Sequence, residues 1–292
     1  MKVDNKKTSR SNAPALIATA VALLVLSYLP GKALAGSLSL IDADVLHRES
    51  SRWVVLDARP RAEWEAGHIP SSRSFSWENY TRTDEKGVEL RVLPPQEMAS
   101  ALAGLGIDEN TPVVIYGDAD KSWGGEGWDV WILSWLGHKG PIRVLNGGIK
   151  AWTGRNLPLT ASSDSTFMKK TRYQIDLKPR LDIQTQELDK MRGAYAVVDV
   201  RSTFERLKGR IPGSIHISWE KFFKGSDRRP ISSAELKQLL IDNGIDLKRP
   251  VVYYCTGGIR SSYAWMVHEL SGLPSARNYE GGMAAWQKRG HQ

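Results

Sequence analysis

The chain has 292 residues, 41% of them hydrophobic, and carries a formal net charge of +8. It is therefore globular and long enough for two domains of common size. It has no basic run interleaved with aromatic residues, which argues against nucleic acid as a partner, and its one cysteine excludes an intramolecular disulfide.

The N-terminus has the three-part layout of a secretory signal peptide. Basic residues near the start precede an uncharged apolar run from Ala13 to Leu29, and the small-residue site Ala33-Leu34-Ala35 follows. We expect residues 1–35 to be cut off after Ala35 and the protein to be exported, in a bacterium to the periplasm. An uncleaved membrane anchor is the alternative, but the run is near the lower length limit for a span. Removal of the segment takes away five basic residues and one acidic residue, which lowers the net charge from +8 to +4.

The remainder of the chain contains a tandem repeat. Residues 54–77 align with residues 196–219 at a constant offset of 142. The matched pairs are Asp57 with Asp199, Arg59 with Arg201, Glu63 with Glu205, Gly67 with Gly209, Ile69 with Ile211, Pro70 with Pro212 and Trp77 with Trp219. Two later segments, 112–116 and 146–152, match 250–254 and 280–286. The chain is therefore a tandem duplication.

Each copy alternates short apolar strands with helical patterns, which predicts an α/β fold with a mainly parallel sheet flanked by helices. We place the first domain at 37–158, a linker at 159–178 and the second domain at 179–290. The linker assignment rests on a Ser-, Thr-, Lys- and Asp-rich composition with poor periodicity.

Several elements can be placed from local patterns. In the first copy, Trp128, Trp131 and Trp135 recur at helical spacing and indicate a core-facing stripe. In the second copy, the patterns predict a helix over 185–192, a strand over 196–200 and a capping box of Ser232 with Glu235 that opens a helix ending at Gly244. A capping box and a glycine stop are typical of helix ends.

The cysteine, Cys255, follows a β-branched and aromatic run, Val251 to Tyr254, that predicts a buried strand. A short glycine-containing turn and Arg260 come next, and residues 261–270 form an amphipathic helical pattern. Thiolates are favoured by helix N-termini and by neighbouring arginines. Most free cysteines are small buried hydrophobes, but this position favours a nucleophile.

The first copy has no nucleophile at the matched position. Gly117 stands there, followed by Asp118. One active and one silent copy predict that the silent domain supplies one wall of a cleft between the domains.

Three motifs together resemble the rhodanese superfamily of sulfurtransferases. They are D-x-R-x-x-x-E-x-x-x-G-x-I-P-G from Asp199, the apolar strand ending in C-x-x-G-x-R-S at Cys255, and a closing GG-x-x-x-W that begins at Gly281. The likeness covers nearly all of the chain after the N-terminal segment, in a tandem arrangement with a catalytic C-terminal domain.

The resemblance implies a two-step sulfur transfer. Cys255 would take the outer sulfur of an anionic donor, thiosulfate or 3-mercaptopyruvate, and pass it from a persulfide to a thiol, a dithiol protein or cyanide. Backbone amides of the loop would stabilise the sulfur anion and Arg260 would hold the donor. The expected donor-binding residues are Arg260, Thr256, Gly257, Gly258, Ile259 and Ser261.

Two features of the motifs bear on the substrate. The Cys255-to-Arg260 spacing is C-x4-R, whereas related phosphatases use C-x5-R, so the shorter loop favours sulfur over phosphate. Double-domain members usually carry a substrate-binding arginine where this chain has Glu205, which leaves the donor open. Arg206 and Arg210 are candidate additional anion contacts, although an arginine near a turn is more often solvated.

Asp199 and Arg201 are interpreted as a structural ion pair, because the silent copy repeats them as Asp57 and Arg59. The six histidines show no metal-ligand spacing, so we expect neither a metal nor a cofactor. The leading hypothesis is an exported sulfurtransferase. The alternatives are a non-catalytic rhodanese-domain binding or sulfur-carrier protein, and a phosphatase or arsenate reductase of the same fold.

Overall fold

The computed structural model describes residues 1–2, 37–162 and 171–289. The described residues from 37 onward belong to one compact unit that contains both copies of the repeat. The predicted signal peptide, its cleavage site and part of the predicted linker lie outside the described residues.

The first copy folds as a five-stranded parallel sheet with helices on its faces. Its principal strands are β1 (Ser39–Ile41), β2 (Val54–Asp57), β3 (Arg73–Ser74), β4 (Thr81–Arg82), β5 (Arg91–Val92), β6 (Val113–Tyr116) and β7 (Ile142–Leu145). Its helices are α1 (Ala43–Glu49), α2 (Arg61–Ala66), α3 (Pro95–Gly104), α4 (Ala119–Ser122), α5 (Gly125–Trp135) and α6 (Gly148–Thr153). The sheet order is β1-β7-β6-β2-β3, and β4 pairs with β5 as a separate antiparallel ribbon.

The second copy repeats this plan with a four-stranded parallel sheet. Its helices are α7 (Thr185–Met191), α8 (Thr203–Leu207), α9 (Ser233–Asp242), α10 (Ile259–Leu270) and α11 (Gly282–Lys288). Its strands are β8 (Ala196–Asp199), β9 (Ile215–His216), β10 (Phe223–Lys224), β11 (Arg229–Pro230), β12 (Val251–Tyr254) and β13 (Arg277–Tyr279). The sheet order is β13-β12-β8-β9, and β10 pairs with β11. Short 3-10 turns cover Ser50–Arg52, Trp77–Asn79, Pro179–Leu181, Arg192–Ala194 and Trp219–Phe222.

The predicted α/β architecture of two parallel sheets flanked by helices is confirmed. Strand β12 is buried along its whole length because helices cover both faces of a parallel sheet. The predicted capping box is present, with Ser232 accepting from the backbone of Glu235, and Gly244 ends that region with a φ of +75°. The helix after Cys255 begins at Ile259, two residues earlier than the sequence pattern predicts.

The two domains meet along helices α5 and α10, which pack against each other. The approach is close at Gly127, where a Cβ atom would lie 2.3 Å from the Cα of Tyr263. Trp128 and Trp131 of the predicted stripe on α5 are buried. The helix that carries Arg260 is thereby fixed against the silent domain.

Ion pairs of the same geometry lie at the carboxyl ends of the two matched strands β2 and β8. Arg201 binds both carboxylate oxygens of Asp199, at 2.9 and 2.8 Å, and Arg59 does the same with Asp57. Tyr254 donates to Asp199 Oδ2 at 2.7 Å, directly across from it in the β8–β12 register. The pair therefore ties the residue before Cys255 to the neighbouring strand.

Among the described residues, no helix combines the length and the apolar character that crossing a membrane requires.

Candidate active site

Cys255 lies directly after β12, where the strand turns into α10. Cys255 is 1% exposed, and the Ser261 hydroxyl lies 3.6 Å from its Sγ. That hydroxyl also lies 2.6 Å from Asn278 Oδ1 on the next strand, β13. The thiol is thus fixed at the edge formed by the carboxyl ends of parallel strands, where open α/β sheets place their ligand sites.

The loop after Cys255 is held in one shape by its neighbours. Gly258 has a φ of +86°, a left-handed conformation that side-chain-bearing residues rarely adopt, and a Cβ there would lie 2.7 Å from the carbonyl oxygen of Glu280. Gly257 lies against Leu90 of the first domain, and a Cβ at Gly257 would lie 2.6 Å from the Cβ of Leu90. Residues of both domains therefore pack against the loop.

The backbone amides at this loop are available to an anion. Within the described ranges, no acceptor takes a hydrogen bond from the N–H groups of Thr256, Gly257 or Ile259. These groups open α10, a helix of 12 residues, so the positive end of its dipole adds to them. The arrangement can stabilise a thiolate and a persulfide anion at Cys255.

Arg260 does not stand open to solvent as a free anion-binding group. Its Nη1 and Nη2 donate to the two carboxylate oxygens of Glu205, at 2.7 and 2.6 Å, and Nη2 also lies 3.1 Å from Thr256 Oγ1. The Thr256 hydroxyl in turn donates to Glu205 at 2.9 Å. The exposed Trp123 of the silent domain lies beside the guanidinium, with its ring centroid 5.6 Å from Cζ.

The electrostatics of this pair keep both groups charged. Burial alone would raise the pKa of Glu205, but the hydrogen bond and charge of Arg260 and the bonds from Ser202 outweigh it and hold the pKa well below its usual range. Burial would likewise lower the pKa of Arg260, yet the hydrogen bond to Glu205 and the interaction with Cys255 raise it further above its already high value. Glu205 is therefore a fixed negative charge rather than a proton carrier.

The two other arginines considered as anion contacts differ in their surroundings. Arg206 donates to Asp199 at 3.3 Å and to the carbonyl of Ser214 at 2.9 Å, so its guanidinium supports the strand end instead of the loop. Arg210 is exposed, and in the described part of the chain it has no hydrogen-bond or ion-pair partner.

In the silent domain a carboxyl group fills the place of the nucleophile. A Cβ at Gly117 would lie 2.1 Å from Glu126 Oε2, which also accepts from Ser122 at 3.0 Å. Helix α5 starts after Gly124 with a φ of +80°, as α10 starts after Gly258. By that alignment Glu126 stands where the catalytic copy has Arg260, so the first copy has a glycine in place of the thiol and an acidic residue in place of the arginine.

Glu126 makes the stability of the silent domain depend on pH. Burial raises the pKa of Glu126 from 4.5 to about 7, so ionising it costs free energy in the folded state. This cost is absent below pH 4.5, grows as the pH rises from 4.5 to about 7, and is constant above that. Glu126→Gln should therefore raise the free energy of unfolding by about 3 kcal/mol at pH 8 and by far less at pH 5. Urea unfolding at both pH values measures it.

The matched control for that experiment is Glu97→Gln, which changes an exposed carboxylate on α3. It should shift stability little at either pH. An equal gain from Glu126→Gln at pH 5 and pH 8 would contradict a role for ionisation.

The first domain also braces the loop through a buried charge cluster. Arg91 binds Glu280 at 2.8 Å, and the same carboxylate accepts from the backbone of Val92 at 2.7 Å. Burial raises the pKa of Glu280 to about 7, although Arg91 opposes the shift. A cavity of about 490 Å³ lies beside this cluster, between Asp84 of one domain and Thr185 of the other, and Cys255 does not line it.

Residues that could bind a metal do not cluster in the described ranges: no three His, Cys, Asp or Glu side chains are arranged to do so.

Comparisons with known proteins identify the family of the chain. The Rhodanese-like domain model matches residues 42–155 and 184–289. The sulfur carrier protein TtuD of Thermus thermophilus is 30% identical over 246 residues, covering 76% of this chain and 83% of that protein. The 3-mercaptopyruvate sulfurtransferase of Homo sapiens is 28% identical, covering 78% and 80%.

A solved structure shows the same fold at lower identity. The anaerobic ergothioneine biosynthesis enzyme from Chlorobium limicola, in complex with trimethyl histidine, is 23% identical with a TM-score of 0.74. The match covers 86% of this chain and 68% of that one. With two matched domains and an intact Cys255 loop in the second, the chain belongs to the rhodanese family and is a tandem-domain sulfurtransferase.

Proposed function

We propose that this sulfurtransferase moves sulfane sulfur from a small anionic donor, thiosulfate or 3-mercaptopyruvate, to a thiol, a dithiol protein or cyanide, through a persulfide on Cys255. One observation carries the proposal. Cys255 lies at a helix N-terminus and beside Arg260, among backbone amides that have no acceptor within the described residues, whereas the matched site of the first domain holds Gly117 and a carboxyl group. The thiol is thus not needed for the fold.

The first half-reaction loads the enzyme. The Cys255 thiolate attacks the outer sulfur of thiosulfate, a new S–S bond forms, the S–S bond of the donor breaks, and sulfite leaves with the electron pair. The persulfide then carries one negative charge on its outer sulfur. The amides of the loop and the dipole of α10 stabilise that charge, as an oxyanion hole stabilises oxygen.

The second half-reaction returns the enzyme to its starting state. A nucleophile, cyanide or a thiolate, attacks the outer sulfur of the persulfide and takes it away as thiocyanate or as a new persulfide. The Cys255 thiolate leaves with the electron pair of the broken bond. Because donor and acceptor react in separate steps, ping-pong kinetics are expected.

Sulfur carriage is the second candidate function. The relative from Thermus thermophilus is named a sulfur carrier protein. Such a role would use the same Cys255 persulfide, with a partner protein instead of cyanide or a small thiol as acceptor. The two functions differ in the second half-reaction only.

The test of the proposed function is a turnover assay with each donor. Purified protein is mixed with thiosulfate or 3-mercaptopyruvate and with cyanide, and thiocyanate is followed while both concentrations vary. Parallel double-reciprocal lines support the two-step transfer. Loading by a donor without thiocyanate turnover would favour the carrier function, and no loading by either donor would contradict both.

Export is proposed from the layout of residues 1–35. N-terminal sequencing of the protein from a periplasmic fraction should begin at Gly36. Recovery of the uncut chain from the membrane fraction would contradict cleavage.

A further inference from the structure

Glu205 already binds the guanidinium of Arg260, which a donor anion would need. Both of its carboxylate oxygens accept from Arg260, and one also accepts from Thr256. The Arg260 side chain is 11% exposed, and the Glu205 side chain is 31% exposed. The chain thus carries its own carboxylate ligand for the arginine of the active site.

The position of Glu205 is fixed by a second set of bonds. It is the third residue of α8, and its Oε2 accepts from the backbone N–H of Ser202 at 3.0 Å and from the Ser202 hydroxyl at 2.8 Å. This capping box holds the carboxylate in place whether or not a donor is present. A mobile surface side chain could move aside at little cost, but a capped one resists displacement.

We propose that Glu205 is a specificity-determining residue: an internal competitor for Arg260 that disfavours dianionic sulfur donors and favours donors of lower charge. The inference rests on the proposed function of Cys255. Glu205 repels the incoming anion and neutralises the Arg260 guanidinium beside the thiol. The repulsion grows with the charge of the donor, so thiosulfate, with two negative charges, suffers more than a monoanionic donor.

A matched pair of donors isolates charge from chemistry. Thiosulfate and methanethiosulfonate both present an outer sulfur on a sulfonyl sulfur, but the second has a methyl group in place of one charged oxygen. With it, the Cys255 thiolate forms the same persulfide, and methanesulfinate leaves with the electron pair of the broken S–S bond. The intrinsic reactivities of the two donors cancel when wild type and variant are compared, so a change in the ratio of their kcat/KM values reports the donor charge.

The test variant is Glu205→Gln. Glutamine at the third helical position preserves a capping box, so α8 should remain intact while the charge is lost. We expect kcat/KM to rise about tenfold for thiosulfate and about threefold for methanethiosulfonate, because the electrostatic energy scales with donor charge. The gain should appear mainly as a lower KM.

The matched control is Glu63→Gln. Glu63 is the equivalent residue of the silent domain, where it pairs with Lys121 at 2.9 Å instead of with an active-site arginine. This variant should leave kcat/KM unchanged for both donors. A circular dichroism spectrum and a thermal melt on both variants verify folding independently of activity.

The outcomes separate the two proposals. An unchanged or equal response of the two donors in Glu205→Gln would overturn the role of Glu205 in charge selection. A wild-type protein that gains no sulfur from thiosulfate, methanethiosulfonate or 3-mercaptopyruvate would instead contradict the proposed function itself.

Discussion

Replacing Cys255 by serine is expected to abolish sulfur transfer, with a loss of at least about 10⁴-fold in kcat/KM for thiocyanate formation. The substitution removes the only thiol in the chain, and a hydroxyl cannot form a persulfide. The measurement is the initial rate with each donor at saturating cyanide.

Folding should not suffer, because the matched position of the first domain is Gly117 and the fold persists there. Urea unfolding of Cys255→Ser and wild type supplies the control. Measurable thiocyanate from a folded Cys255→Ser protein would show that another group carries the sulfur.

Removal of the active-site guanidinium should have the second largest effect. Arg260→Ala is expected to lower kcat/KM for thiosulfate by about 10²- to 10³-fold, since it deletes the cation beside Cys255 and leaves the Glu205 carboxylate without its countercharge. Arg260→Lys retains a charge but loses the two-pronged geometry, so an intermediate loss is expected. Steady-state kinetics with thiosulfate measure both.

Arg206→Ala is the matched control for Arg260→Ala. Arg206 also carries a guanidinium and is adjacent to Glu205 in sequence, but it binds Asp199 and Ser214. We expect a loss of stability with little change in KM for thiosulfate. An equal kinetic loss in the two variants would mean that Arg260 acts through local folding and not through the donor.

The repeat is the feature that makes most of the fold predictable from sequence. Strands such as Val251–Tyr254 are continuous apolar runs, and the carboxyl ends of the two matched strands β2 and β8 carry the Asp-x-Arg pairs. Hydrophobic periodicity and self-similarity therefore suffice for the sheets and for Cys255 at a strand end. The sequence pattern predicts the start of α10 two residues too late. Gly258 in a left-handed conformation ends the turn, so the helix begins at Ile259 and includes Arg260.

The environment of Arg260 could not be predicted in the same way. Glu205 is 55 residues away from Arg260 in the chain, and only the folded sheet brings α8 against the loop. The one available signal was the acidic residue at a position where double-domain members carry arginine. Leu90 and Trp123 gave no signal at all, because their contacts with the loop cross between domains.

The silent site shows the same limit. Gly117 in place of the cysteine is visible in the sequence. The four residues of α4 precede α5 in the first copy, however, so linear alignment does not place Glu126 opposite Arg260. Superposition of the two helix starts is what reveals the acidic residue in place of the arginine. Packing, rather than pattern, decides which side chain fills a vacated position.

The most direct test of Cys255 as the sulfur-bearing residue is the intact mass of the protein after incubation with a donor. Thiosulfate or 3-mercaptopyruvate should add one sulfur atom, peptide mapping should locate it on Cys255, and cyanide should remove it as thiocyanate. A Cys255 persulfide would be contradicted if the wild-type protein gained no sulfur from either donor. It would also be contradicted if the Cys255→Ser variant gained as much sulfur as the wild type.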